Sequence, residues 1–155
     1  MARLSEVLSL LPAAKRQWPR AWVGYTIPFL PLLASAANVK GSVTTQDGSD
    51  FIAMRIAAYS TTNAVPPVEN ATPQATFTLA LGALKIFPDD NAQPLQAYSV
   101  STADRRGHEL EFPQLVEGNT TLACYMTNLT ATDMHIRFIL WGVRLWSGPR
   151  AQSAL

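Results

Sequence analysis

Cysteine occurs once in the 155 residues, at Cys124, and histidine twice, at His108 and His135. One thiol forms no internal disulfide, and one cysteine with two histidines cannot complete a tetrahedral zinc site. A disulfide scaffold, a zinc ribbon and a zinc protease are therefore all excluded. Charged residues make up only 15% of the chain, against about a quarter in typical domains, which argues against disorder and suggests that partners cover part of the surface. The 8 glycines form no GxGxxG or GxxxxGK run, so nucleotide binding has no support. What is present is 48% hydrophobic residues, enough for one core. A chain of this length buries roughly 68–70% of its unfolded surface and needs neither a disulfide nor a metal to fold.

The near-neutral total of +1 hides an uneven distribution. Residues 1–40 carry Arg3, Lys15, Arg16, Arg20 and Lys40 against Glu6 alone, whereas residues 41–133 carry four bases against ten acids. A basic leader beside an acidic body suggests electrostatic docking, either of one copy's arm on another or on an acidic partner. Five bases over forty residues make no dense stripe, so nucleic acid is not an expected partner.

Leu4, Val7, Leu8 and Leu11 have the spacing of one apolar helical stripe, and Pro12 closes it. A helix this short is marginal in water and should order only against the body or a neighbouring chain. Residues 13–20 end in Trp18-Pro19 and suggest an extended connector. Residues 21–37 are the most apolar window, and a basic leader followed by Ala34-Ser35-Ala36 resembles a signal peptide. Pro28 and Pro31 would break a spanning helix there, so no membrane segment is expected. The favoured expectation is an extended segment along the body or in a neighbour's groove.

From residue 38 the pattern changes to short strands separated by turns. Strands are expected at residues 39–45, 51–59, 76–81, 83–87, 96–100, 109–112, 120–128 and 135–146. Asp47-Gly48 suits a tight hairpin turn, and Pro88-Asp89-Asp90-Asn91 and Asp104-Arg105-Arg106-Gly107 supply two more. In the second of these strands Ile52, Met54 and Ile56 are expected on one face. Later, Phe77, Leu79 and Leu81, then Leu122, Cys124 and Met126, then Ile136, Phe138 and Leu140 are expected on faces of their own. Many short strands at about ten-residue spacing point to an all-β antiparallel sandwich or barrel. The expected organisation is an arm over 1–37, a β-sandwich over 38–146 and a tail over 147–155.

No constellation announces a reaction. On a strand His108 faces away from Glu109 and Glu111, His135 near Asp133 has no nucleophile elbow, and Cys124 on an apolar face suits an inert buried thiol. The expectation is therefore a protein without catalytic residues, metal or cofactor. Trp18 and Trp22 suit interface anchors, because tryptophan and arginine dominate binding hot spots. The candidate partner-binding residues are Leu4, Leu8, Leu11, Arg16, Trp18, Arg20, Trp22, Tyr25 and Phe29.

The order of motifs LASAANVKGSV, DGSDFIAMRIAAYS, TFTLALGAL, FPQL, EGNTTLACYMTNLT and MHIRFILWGVRLW resembles a group of small all-β virion proteins of tailed bacteriophages. The likeness covers residues 28–146. It implies a jelly-roll-like domain, a capsid decoration (cement) or minor head role, and no enzymatic residues. It also implies contact with the major capsid protein or other virion proteins, homo-oligomerisation as a dimer or trimer, and residence in the virion after assembly in the host cytoplasm. The alternatives are a tail or connector component, or a host-surface module whose loops 60–74 and 88–95 bind glycan. An exported carbohydrate-binding protein is a further reading.

Overall fold

Strands that alternate apolar and polar side chains must bury one face each, and two such sheets closing on one another satisfy both. The computed structural model of the chain describes residues 4–62, 66–70, 72–87, 91–100 and 107–146. Two short helices come first, α1 (Leu4–Ser9) and α2 (Ala13–Arg16). The strands are β1 (Arg20–Leu32), β2 (Val39–Thr44), β3 (Ser49–Thr62), β4 (Ala75–Leu81), β5 (Leu84–Phe87), β6 (Gln93–Pro94), β7 (His108–Val116), β8 (Thr121–Asn128) and β9 (Met134–Trp146). One sheet runs β1-β9-β3-β7, and the other runs β2-β8-β4-β5 with β6 also beside β4. All pairings between these strands are antiparallel. The chain is thus an all-β sandwich of two antiparallel sheets.

The faces expected from β4, β8 and β9 meet in its core. Phe77, Leu79, Leu81, Leu122, Cys124, Met126, Ile136, Phe138 and Leu140 are buried in one cluster. Phe77 is central: its ring lies 4.9 Å from Phe138, 5.3 Å from Tyr98 and 5.7 Å from Phe87. Aromatic pairs at these separations contribute beyond the area they bury.

Four local expectations are sharpened or corrected. The extended segment expected along the body is there: residues 20–32 form β1, whose partner is β9 of the same chain, from Arg20 opposite Leu145 to Leu32 opposite Met134. Val23, Tyr25, Ile27 and Phe29 alternate into the core, and Pro28 and Pro31 are tolerated because β1 is an edge strand, free of a neighbour on one side. Second, Ala13–Arg16 is a helical turn rather than an extended connector. Third, residues 95–98 form a 3-10 helix instead of an edge strand. Pro94 starts it, Leu95 is fully buried beneath it, and Ser99 makes only an isolated bridge to Ala58.

The fourth concerns β3, where Ile52, Met54 and Ile56 do not share a face. A bulge at Met54 shifts the register against both neighbours, so Phe51 and Ala53 point into the core before it, and Ile56 and Ala58 after it. Ile52 belongs to a second cluster with Val143 and Leu145 on the opposite side of the sheet. The Asp47-Gly48 turn is present, with Gly48 at φ 70° and its N–H donating to Asp47 Oδ1. The expected turn residues 88–90 and 104–106, and the tail 147–155, lie outside the described residues.

Candidate partner-binding surface

The leader folds back on its own sheet. Val7 and Leu11 are buried against Ile52, Val143 and Leu145, with Leu4, Leu8 and Trp18 packed around them. This face is available because Val143 and Leu145 alternate with core-facing residues of β9 and point the other way. The Lys15 ammonium lies 2.6 Å from Asp50 Oδ2 and 5.3 Å from the Trp18 ring centre. Arg16 closes the end of α1, its Nε donating to the Leu11 carbonyl at 2.8 Å and its Nη2 to that of Ser9 at 2.6 Å. Arg16 thus satisfies carbonyls that a helix end leaves open.

On β1 the remaining candidates separate by face. Phe29 is buried over Gly41, where a Cβ would meet its ring at 2.8 Å. Tyr25 packs edge-on against Phe51 at 4.8 Å, and its hydroxyl accepts the Gln46 N–H at 3.3 Å. Arg20 is exposed at the start of the strand. Trp22 is 48% exposed and stacks parallel to Trp141 with centroids 6.5 Å apart. The Trp141 ring takes the space where a side chain at Gly24 would stand, with Cε3 at 2.9 Å. Arg55 reaches within 5.9 Å of the Trp22 ring and is held by Glu109 at 2.8 Å. Of the nine candidates, Leu11 and Phe29 are spent in this chain's own packing, whereas Trp22 and Arg20 keep accessible surface.

The candidate reactive groups have structural uses. His108 packs edge-on to Tyr98 at 5.7 Å, and Asp133 Oδ1 accepts the Ala34 N–H at 2.8 Å. Burial pushes the Cys124 thiol far above its ordinary pKa, and burial also raises Tyr98. Among the described residues no three His, Cys, Asp or Glu side chains are placed to hold a metal ion. No helix among them is long and apolar enough to cross a membrane.

A groove that the sequence reading missed lies along the free edges of β5 and β7. Between the pairs Ala53–Gln114 and Arg55–Glu109, β3 has one residue and β7 has four, Leu110-Glu111-Phe112-Pro113. This long bulge lifts Phe112 to 69% exposure, facing β5, where Leu84 is 48% exposed. The cleft holds about 490 Å³, with Ile86, Phe87, Tyr98 and Leu110 forming its apolar lining and Lys85, Gln93, Glu109 and Glu111 its polar rim. The strand expected at 109–112 ends before Pro113, and no local signal marks the resumption of pairing at Gln114. Two further clefts, about 430 Å³ beside Thr78 and Tyr125 and about 540 Å³ beside Asn70, Thr130 and Asp133, are lined largely by polar and small side chains.

Comparison with protein-family models, with curated proteins and with solved structures finds no match to this chain.

Proposed function

We propose that the chain is a non-enzymatic virion structural protein of a tailed bacteriophage, a capsid decoration or minor head protein that binds the major capsid protein and acts as a homo-oligomer. The observation that carries this reading is the strand order. With β5 and β6 counted as one interrupted strand along β4, eight strands run first-eighth-third-sixth in one sheet and second-seventh-fourth-fifth in the other. That order supports a jelly roll, two Greek keys folded over each other, which the motif resemblance also implies.

A domain of this kind would work additively. It binds assembled subunits but not separated ones, and so stabilises the assembly by mass action. The docked leader is the segment suited to grip a neighbour, because residues 4–18 hold to the sheet through a small apolar cluster and the Lys15–Asp50 ion pair rather than through strand pairing. A truncation that tests the leader must stop before Arg20, since removing residues 20–30 deletes most of an edge strand.

The test is immunogold electron microscopy with an antibody raised against the purified domain, applied to particles from the culture that makes the protein. Label on capsids supports decoration, and label confined to tails moves the protein to a connector or tail position. Protein found only in the particle-free supernatant overturns the virion reading.

A further inference from the structure

Of the 8 glycines in the chain, only Gly48 follows an aspartate or an asparagine. The order matters chemically, because a glycine nitrogen, with no Cβ beside it, is the least shielded nucleophile toward the side-chain carboxyl that precedes it. In the turn between β2 and β3 both residues are exposed, and Gly48 adopts φ 70°. Its N–H donates to Asp47 Oδ1 at 2.9 Å, so the nitrogen stands against the carboxyl group whose carbon, Cγ, it would attack. A five-membered ring closes when that nitrogen meets Cγ from above the carboxyl plane. The motion required is a rotation about χ2, which is a broad torsion in aspartate. Holding the two groups in contact supplies the proximity that makes intramolecular attack fast. Asp50, three residues on, is the contrast. One of its oxygens is tied to Lys15 and the other to the Gly118 N–H, and the residue after it, Phe51, is paired on both sides within β3.

We propose that Asp47 is a site of spontaneous succinimide and isoaspartate formation in the folded chain. The Gly48 nitrogen bonds to Cγ of the protonated Asp47 carboxyl, the Cγ–OH bond breaks, and the hydroxyl leaves with the amide proton as water. Water then adds at either ring carbonyl. Opening the Cγ–N bond restores aspartate. Opening the bond from the nitrogen to the main-chain carbonyl routes the backbone through Cγ and leaves a free α-carboxylate. No oxidant, enzyme or cofactor is consumed. The isoaspartyl product puts one extra carbon into the main chain between Gln46, whose Oε1 accepts from Arg144 at 2.7 Å, and Ser49, whose hydroxyl donates to the Gln46 carbonyl at 3.0 Å. The modification thus acts on the corner where the chain passes from one sheet to the other.

The test is incubation of the full chain in mildly acidic buffer at physiological temperature. Tryptic digestion and fragment-ion mass spectrometry then compare peptide 41–55, which contains both Asp47 and Asp50, with that of an unincubated sample. The expected result is a peptide lacking one water, followed by an isomer of native mass, with the change at residue 47 and none at residue 50. Asp47→Glu should lose water about tenfold more slowly, because a six-membered ring needs one more bond rotation fixed. Circular dichroism taken throughout verifies that the chain stays folded. A folded chain that leaves Asp47 unchanged overturns the proposal, and conversion confined to a urea-denatured sample would show the turn protecting the site. Equal conversion at Asp47 and Asp50 also overturns it, because that pattern comes from unfolding rather than from the turn.

Discussion

The Lys15 ammonium and the Asp50 carboxylate meet at 2.6 Å, and the other Asp50 oxygen accepts the Gly118 N–H at 3.3 Å. One largely buried carboxylate therefore ties the leader, the start of β3 and the β7–β8 turn together. Removing Lys15 breaks one arm of this tie, and removing Asp50 breaks both. Lys15→Met should lower stability by about 1 kcal/mol or less, because the ammonium is partly in water. Asp50→Ala should lower it by about 1–3 kcal/mol, since it also leaves the Gly118 N–H unpaired. Urea denaturation of the two variants checks the order, and equal losses would refute the double role.

Leu11→Asp probes the leader separately from the sandwich. A charge cannot stay in the apolar contact with Ile52, Val143 and Leu145, so residues 4–18 should detach while the two sheets remain. The expected outcome is faster tryptic cleavage after Arg16, unchanged β-type circular dichroism and a loss of about 2 kcal/mol for the released apolar area. Loss of the β signal would mean that the leader is an indispensable part of the core.

Asn128 is a heavily committed polar side chain, buried where β8 ends. Its Nδ2 donates to the carbonyls of Leu32, Leu33 and Thr132, and its Oδ1 accepts from the Thr130 N–H and hydroxyl. The amide fastens the end of β1 to the β8–β9 turn. Asn128→Ala should cost about 3 kcal/mol or more, because several buried groups lose partners together. Asn128→Asp should be as harmful, since a carboxylate cannot donate to three carbonyls. Thermal melts of both variants decide it, and a mild effect from the aspartate would contradict the donor assignment.

How far the fold was legible depends on which signal each strand carries. β8 and β9 were readable because Leu122, Cys124 and Met126, then Ile136, Phe138 and Leu140, alternate without interruption. β1 was hidden by Pro28 and Pro31, which weaken any strand reading unless the strand is known to be an edge, and edge position is a property of the whole sheet. The inward set of β3 was misassigned because one extra residue at Met54 changes the parity, and nothing local to the sequence marks the bulge. The same limit hid the β5–β7 groove: Phe112 lies in a stretch where four residues of β7 stand opposite one of β3, and nothing local to the sequence marks it. The leader's apolar stripe was legible, but the Ile52, Val143 and Leu145 patch that receives it comes from strands about a hundred residues apart.

Gly142 marks the centre of the β3–β9 irregularity. A Cβ built there would stand 1.9 Å from the Ile52 carbonyl oxygen and 2.8 Å from its carbon, so backbone rather than a side-chain tip must move. Gly142→Ala should therefore destabilise by about 3 kcal/mol or more and shift the protein toward the insoluble fraction on expression. A soluble variant with a native melting temperature would show that the bulge relaxes more freely than its pairing implies.

Cys124 supplies the test of core integrity with pH. Its thiol is fully buried on β8, and burial raises its pKa because the thiolate would lose its hydration. Below about pH 8.5 both folded and unfolded chains keep the proton and this group gives no pH dependence. Above that value the unfolded chain releases the proton and the folded chain does not, so the unfolded state binds fewer protons and stability falls as pH rises. The slope from this one group approaches about 1.4 kcal/mol per pH unit. Tyr98, raised in the same direction by burial, adds a second decline above about pH 10. Urea midpoints measured from pH 7 to 11 should fall in that sequence, and Cys124→Ala should remove the first decline while leaving the second. In the native protein at pH 8, a thiol-reactive dye should label Cys124 only after denaturant is added. Rapid native labelling would show that the two sheets do not close over β8.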